Sequence, residues 1–357
     1  MCLVEVKGAK GLVTACVYPV NEGMGANQKV FEAEGYSTAA AFMPEFMASD
    51  DLIKSSIDVM ENLMEASFFS DGSYIEGSDG YTSATLDLFI QFWKKILIIG
   101  YDYSDEAKEL LSKGASYVAN LGSNGGVSIA WGDNGKSKTR ITEKGQDYYE
   151  ITRDETINFI NTYGRKGVMP KWTSQLYQGN MLAIMRSDWT DEGTYVFVPS
   201  SSFQTHGHAD ANSIILNAYK KAMLIDPGYF NYDNSPERAY AKSTRGHNTV
   251  EIDNTSQSMV SGMGTSILKP LSQKNSWVSN SNYDFYSVTN YSNKAQAVDD
   301  KNKCVEHTRT ITFLKPNIII VSDLMSPDME DGAEAAKPVC GGQERHHLRH
   351  RRLAGAG

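Results

Sequence analysis

Thr205-His206-Gly207-His208-Ala209-Asp210-Ala211-Asn212-Ser213 is the densest run of potential chemistry in the sequence. On an extended segment, residues i and i+2 share a face, so His206 and His208 point the same way. Downstream, Leu224-Ile225-Asp226-Pro227-Gly228 and Arg245-Gly246-His247-Asn248 add a carboxylate and a third histidine, and a tight hairpin in between can return Asp226 towards the pair. Imidazole nitrogens with a carboxylate suit Zn²⁺. The same groups also suit a hydrogen-bonded surface cluster, and spacing alone leaves both open.

Working outward, the pattern around this run is that of antiparallel strands. Met181 to Arg186, Thr194 to Val198, Ser213 to Asn217, Ala222 to Asp226, Thr249 to Ile252, Phe285 to Thr289, Thr308 to Phe313 and Ile318 to Val321 are short β-branched or aromatic runs. Gly, Asn, Asp, Ser and Pro separate them. Upstream the period is helical, with apolar residues three and four apart in segments around Val30 to Met43, Leu52 to Met64, Leu86 to Ile96 and Ala107 to Ala115. Ser49-Asp50-Asp51 and Ser104-Asp105-Glu106 read as helix starts, and Gly100 and Gly114 as helix ends. Helices followed by strands predict an α+β multidomain chain with its chemistry at the junction. The division falls at residues 1–174 and 175–340, with 120–167 as connector. Residues 341–357 form an atypical basic tail, with Arg345, Arg349, Arg351 and Arg352 against Glu344.

The chain has 357 residues and a formal charge of -9, and that acidity argues against a general nucleic-acid binder. Apolar runs are too short to span a bilayer, and Met1 to Val20 lacks a basic stretch followed by an apolar one. Cys2, Cys16, Cys304 and Cys340 match no metal or redox spacing.

Two further features stand out. The loop Asp71-Gly72-Ser73-Tyr74-Ile75-Glu76-Gly77-Ser78-Asp79-Gly80-Tyr81 joins two helices. Its tyrosines and acids suit a sugar, and a plain interhelical loop fits equally. Gly23-Met24-Gly25-Ala26-Asn27-Gln28 precedes a helix but lacks the Lys-Ser/Thr of a phosphate loop.

Together these motifs resemble the heparinase II/III-like polysaccharide lyases. In that family an Asn opens a toroid helix, and a D-G-S-x-x-E-G loop with a nearby Tyr follows. Then come H-x-H-x-D-x-x-S, a D-x-G turn and H-N-T-V. Here these are Asn27, Asp71 to Tyr81, His206 to Ser213, Asp226-Pro227-Gly228 and His247-Asn248-Thr249-Val250. The resemblance implies a partial α/α toroid followed by an antiparallel β-sandwich, truncated at both ends. It also implies an acidic polysaccharide substrate, either a glycosaminoglycan such as heparan sulfate or alginate, and a periplasmic or secreted bacterial setting.

By the same resemblance, Tyr81 is the catalytic tyrosine, His206 the active-site histidine and Asn27 the asparagine facing the uronate carboxylate. His208, Asp226 and His247 match the ligands of one structural zinc. Gln28 stands where many relatives carry His, so a histidine base is missing there. The chemistry implied is β-elimination: donors such as Asn27, Gln28 and His206 neutralise the uronate carboxylate, a base takes the C5 proton and an acid protonates O4. Tyr81 can serve as both if nearby cations lower its pKa, and Arg238, Lys242 and Arg245 lie in the loop that could supply them, with Tyr232 as a second substrate tyrosine. A toroid-type glycoside hydrolase using Asp71 and Glu76, and a sugar-binding fragment without activity, are the alternatives.

Overall fold

The structure, a computed structural model, describes residues 3–5, 12–14, 34–35, 38, 49–124, 129–135, 144–201, 207–257, 275–293 and 305–327. A short antiparallel pair, β1 (Leu3–Glu5) and β2 (Leu12–Thr14), comes first. Three long helices follow: α1 (Ser49–Ser67), α2 (Asp79–Ile98) and α3 (Asp105–Leu121). Their apolar stripes produce the packing. Ile53, Ile57, Met60 and Met64 of α1 join Leu86, Phe89 and Trp93 of α2 and Leu111, Ala115 and Val118 of α3 in one buried cluster. Ser104 caps α3 by accepting from the Ala107 amide at 3.2 Å.

Gly114 does not end α3, which runs on to Leu121. A Cβ at this position would sit 3.3 Å from Leu86 and from Phe68, so the glycine serves close packing inside the helix. The connector holds two helices that the periodicity does not reveal, α4 (Lys144–Thr152) and α5 (Glu155–Asn161). Asp154 caps α5 by accepting from the Thr156 amide.

The strands form two antiparallel sheets. One has the order β3-β4-β5-β6-β7, built from β3 (Gln175–Tyr177), β4 (Leu182–Arg186), β5 (Tyr195–Pro199), β6 (Ile215–Ala218) and β7 (Lys221–Leu224). The other has the order β11-β10-β9-β8, from β8 (Asn275–Ser279), β9 (Tyr283–Asn293), β10 (Val305–Leu314) and β11 (Ile318–Pro327). Every residue of β4 and β5 is buried, because each strand has a partner on both faces. Leu182, Ile184, Tyr195 and Phe197 pack with the helices, while Ala183, Met185, Val196 and Val198 pack against Tyr286, Val288, Ile311 and Phe313 of the second sheet. The β6–β7 hairpin turns at Tyr219 and Lys220, both at positive φ, as a two-residue turn requires.

Two sequence expectations change here. Thr249 to Ile252 is not a strand, because side chains occupy the groups a ladder would use. Asn248 donates to the carbonyls of Ile214 and Ile225, Thr249 donates to Ala211, and only an isolated Ile252–Thr255 bridge forms. A short helix, α6 (Pro236–Lys242), also interrupts the β region, capped by Ser235 with Pro at its start.

The fully buried Arg186 of β4 ties the first sheet to the end of α3. It donates to the carbonyls of Asn120 at 2.6 Å and Gly122 at 2.7 Å, where the last turn of a helix favours a cation.

Candidate active site and metal centre

The loop from Asp71 to Ser78 is fixed before it delivers Tyr81. Asp71 accepts from the amide and hydroxyl of Ser73 through one oxygen, and from the Gly179 amide, just before β4, at 2.8 Å through the other. Tyr74 is buried and bonded to Thr85, so it belongs to the core and not to a sugar surface. Tyr81 then falls in the first turn of α2. Connector residue Gly132 passes directly beneath: with φ +57, a Cβ there would lie 2.5 Å from the Gly77 carbonyl oxygen.

The Tyr81 hydroxyl lies 2.6 Å from that of Tyr232, on the loop between β7 and α6. Tyr232 is exposed, and its ring is held by the Arg238 guanidinium, 5.0 Å from its centroid. Tyr229 packs against Tyr232 with ring centroids 4.8 Å apart and planes tilted by 48°, and lies 5.7 Å from the same guanidinium. Arg238 in turn donates to both oxygens of Asp133, at 2.7 and 3.1 Å. Partial desolvation of its hydroxyl, the bond with Tyr81 and the Asp133 charge push the Tyr232 phenol above its ordinary pKa.

Asp133 also meets the histidines. The Nε2 of His208 lies 2.8 Å from Asp133 Oδ1, with both side chains fully buried. Beyond it, Asp210, Asp226 and His247 each offer one ligand atom, and the three atoms lie within 4.8 Å of one another. Asp226 Oδ2 is 2.6 Å from His247 Nδ1, and the rings of His208 and His247 are 5.8 Å apart. Burial works to lower the His247 pKa, but the Asp226 hydrogen bond and charge outweigh it and hold it above its usual value. His208 Nδ1 and His247 Nε2 are buried without a hydrogen-bond partner. Unsatisfied buried nitrogens beside two carboxylates fit a cation site of mixed N and O donors.

The second sheet braces these loops. Arg309 of β10 donates to the carbonyls of Asn212 and Asn248, each at 2.6 Å, and so clamps the segment after His208 to the one after His247. Its other nitrogens meet Asp323 of β11 at 2.7 and 2.9 Å.

With this geometry in place, the chain can be set beside known proteins. The sequence matches the family described as Heparinase II/III N-terminus over residues 19–104 and that described as Heparinase II/III-like, C-terminal over residues 182–336. The chain belongs to the heparinase II/III-like family. It is 23% identical to a heparin-sulfate lyase of Bacteroides stercoris over 239 residues, covering 64% of this chain and 36% of that protein. The fold is similar to heparan sulfate lyase HepC from Pedobacter heparinus, with TM-score 0.71 at 19% identity, covering 87% of this chain and 47% of that one. It is also similar to a structure titled Heparinase III, with TM-score 0.69 at 17% identity, covering 88% and 49%. This heparinase II/III-like chain thus spans between about a third and a half of the length of these relatives.

Of the residues singled out in the sequence, Tyr81, Tyr232 and Arg238 come together, and so do Asp226 and His247; the third member of that cluster is Asp210, while His208 lies beside His247 and bonds Asp133. Asn27, Gln28 and His206 lie outside the described residues, as do the glycine-rich run at 23–28, the four cysteines and the basic tail. Arg245 faces elsewhere, bonded to Glu251 and Asn254. Lys242 stays near the site, its pKa lowered by burial and by the Arg238 charge. Sequence reading missed Asp133 and Arg309. Asp133 lies in none of the motifs, and its local cue is the turn-forming run Gly132-Asp133-Asn134-Gly135.

Proposed function

We propose that this chain carries the catalytic junction of a polysaccharide lyase, which cleaves a uronate-containing polysaccharide by β-elimination. In this reading its helices are part of an α/α toroid (1–174) and its two sheets a β-sandwich (175–340). The substrate is an acidic glycosaminoglycan of the heparan sulfate kind or a related uronate polymer such as alginate.

The observation that carries the reading is the Tyr81–Tyr232 pair, at 2.6 Å, where the first turn of α2 meets the β7–α6 loop. The two hydroxyls share one short hydrogen bond in which either can donate, and this holds the Tyr81 oxygen at the junction where a base must sit. Arg238, ion-paired with Asp133, holds the Tyr232 ring in place behind the pair. Tyr81 takes the C5 proton as electrons shift towards the uronate carboxylate, which Asn27, Gln28 and His206 neutralise. The C4–O4 bond then breaks, a C4–C5 double bond forms, and Tyr81 returns a proton to O4.

A hydrolase reading is not favoured, because Asp71 already holds Ser73 and the Gly179 amide. One zinc ion, bound by Asp226 and His247 with His208 or Asp210, would cross-link the loops around the site without taking part in the reaction. The partnerless nitrogens of His208 and His247 support this assignment.

The test is a panel of uronate polymers scored for near-ultraviolet absorbance by unsaturated ends. New absorbance on a glycosaminoglycan supports the lyase. Reducing ends without absorbance would identify a hydrolase, and binding without product would identify a binding module.

A further inference from the structure

Asp133 has three properties that set it apart from an ordinary surface carboxylate. Its side chain is fully buried. It belongs to the connector, outside both the helices and the sheets. Among its described partners are two groups with different duties: Arg238, which supports the ring of Tyr232, and His208, one of the buried histidines beside the candidate metal cluster.

Burying a carboxylate is costly unless its lone pairs are met by strong donors. Here Arg238 supplies a two-pronged contact and His208 a third. The contact with His208 uses Nε2 and leaves Nδ1 turned to the buried interior without a partner, so the carboxylate fixes both the tautomer and the ring orientation. The contact with Arg238 fixes a guanidinium that would otherwise be free to leave the exposed Tyr232 ring. The backbone holds Asp133 in place for this. The Asn134 carbonyl accepts from the Tyr229 amide at 3.1 Å, and the Asn134 side chain donates back to Ile129 at 2.9 Å.

We propose that Asp133 is a positioning residue that holds the Tyr81–Tyr232 pair through Arg238 and at the same time orients His208, coupling the tyrosine pair to the metal cluster. The inference rests on the lyase reading for its kinetic consequence and on geometry alone for its structural one. Asp133 touches neither substrate nor the reacting oxygen of Tyr81 in this role. Its loss should therefore slow turnover while leaving substrate affinity largely intact.

The test uses the zinc-loaded chain and two variants. Asp133→Asn keeps the shape but removes the charge and one acceptor oxygen. Arg238→Lys keeps the charge but removes the two-pronged contact and the stacked plane, leaving His208 on Asp133. Both are expected to lower kcat on the order of 10- to 100-fold with KM changed by less than about twofold. Crystal structures of both variants should show the Tyr81 and Tyr232 hydroxyls separated beyond about 3.5 Å.

Unchanged kcat with an intact tyrosine pair in either variant would overturn the proposal. So would failure of both variants to fold, which would make Asp133 purely structural. If the parent chain yields no unsaturated product from any polymer, the lyase reading fails. The hydroxyl separation in the variants still decides the role of Asp133.

Discussion

The hydroxyls of Tyr81 and Tyr232 lie 2.6 Å apart although 151 residues separate them in the chain. One comes from the start of a helix and the other from a loop beyond the first sheet, so the contact exists only when both parts are folded together. Tyr232→Phe should remove the hydrogen-bond partner of Tyr81 while keeping the ring against Arg238. The expected loss is about 0.5–1.5 kcal/mol of stabilisation, or roughly 2- to 10-fold in kcat. Steady-state kinetics on the preferred polymer will measure it, and an unchanged kcat would remove Tyr232 from the site.

Metal content is the next test. Asp226→Ala and His247→Ala each delete a member common to both candidate ligand sets, and each also breaks the buried Asp226–His247 hydrogen bond. Elemental analysis of purified protein is expected to fall from one zinc per chain to none. Unfolding free energy should drop by about 3 kcal/mol. Retention of zinc in both variants would place the ion elsewhere.

Asp323 predicts an acid-sensitive clamp. Burial works to raise its pKa, but hydrogen bonds from His307 and Arg309 and their charges hold it well below the usual aspartate range. A folded pKa below the unfolded one adds stability that is fully present above about pH 4 and is lost as pH falls further. Asp323→Asn should therefore destabilise the chain near neutrality and flatten the acid limb of its stability curve. Denaturant unfolding at a series of pH values will show this, and zinc retention should fall too, because Arg309 clamps the two ligand loops.

Gly228 offers a steric test of the loop that carries Tyr229 and Tyr232. It has φ +57, and a Cβ would lie 2.4 Å from the Asn134 carbonyl oxygen. Gly228→Ala should cost about 1–3 kcal/mol of stability and lower kcat by displacing Tyr232. Full stability and activity together would show that the loop tolerates the shift.

Periodicity in the sequence reveals α1, α2 and α3 because each buries a continuous stripe, and β4 and β5 because five-residue apolar runs lie between turn residues. It misses α4 and α5, whose short polar stretches depend on packing against α3. It also misreads Thr249 to Ile252, where Asn248 and Thr249 side chains compete with a ladder. Tyr81, His208, Asp226 and His247 sit in recognisable motifs, and Tyr232 and Arg238 lie in the loop between two of them. Asp133 and Arg309 do not, since a single Asp in a connector and a single Arg in a strand have meaning only once the chain brings their partners to them.

The most direct measurement is the structure of the product. The chain and its Tyr81→Phe variant, each zinc-loaded, are incubated with heparan sulfate and other uronate polymers, and the new chain ends are examined by proton NMR and near-ultraviolet absorbance. The expected result is a C4–C5 unsaturated uronate from the parent chain. From Tyr81→Phe it should be reduced by about 10²–10⁴-fold, with folding and polymer binding preserved. Saturated ends from the parent chain, or undiminished unsaturated product from Tyr81→Phe, would contradict β-elimination at Tyr81.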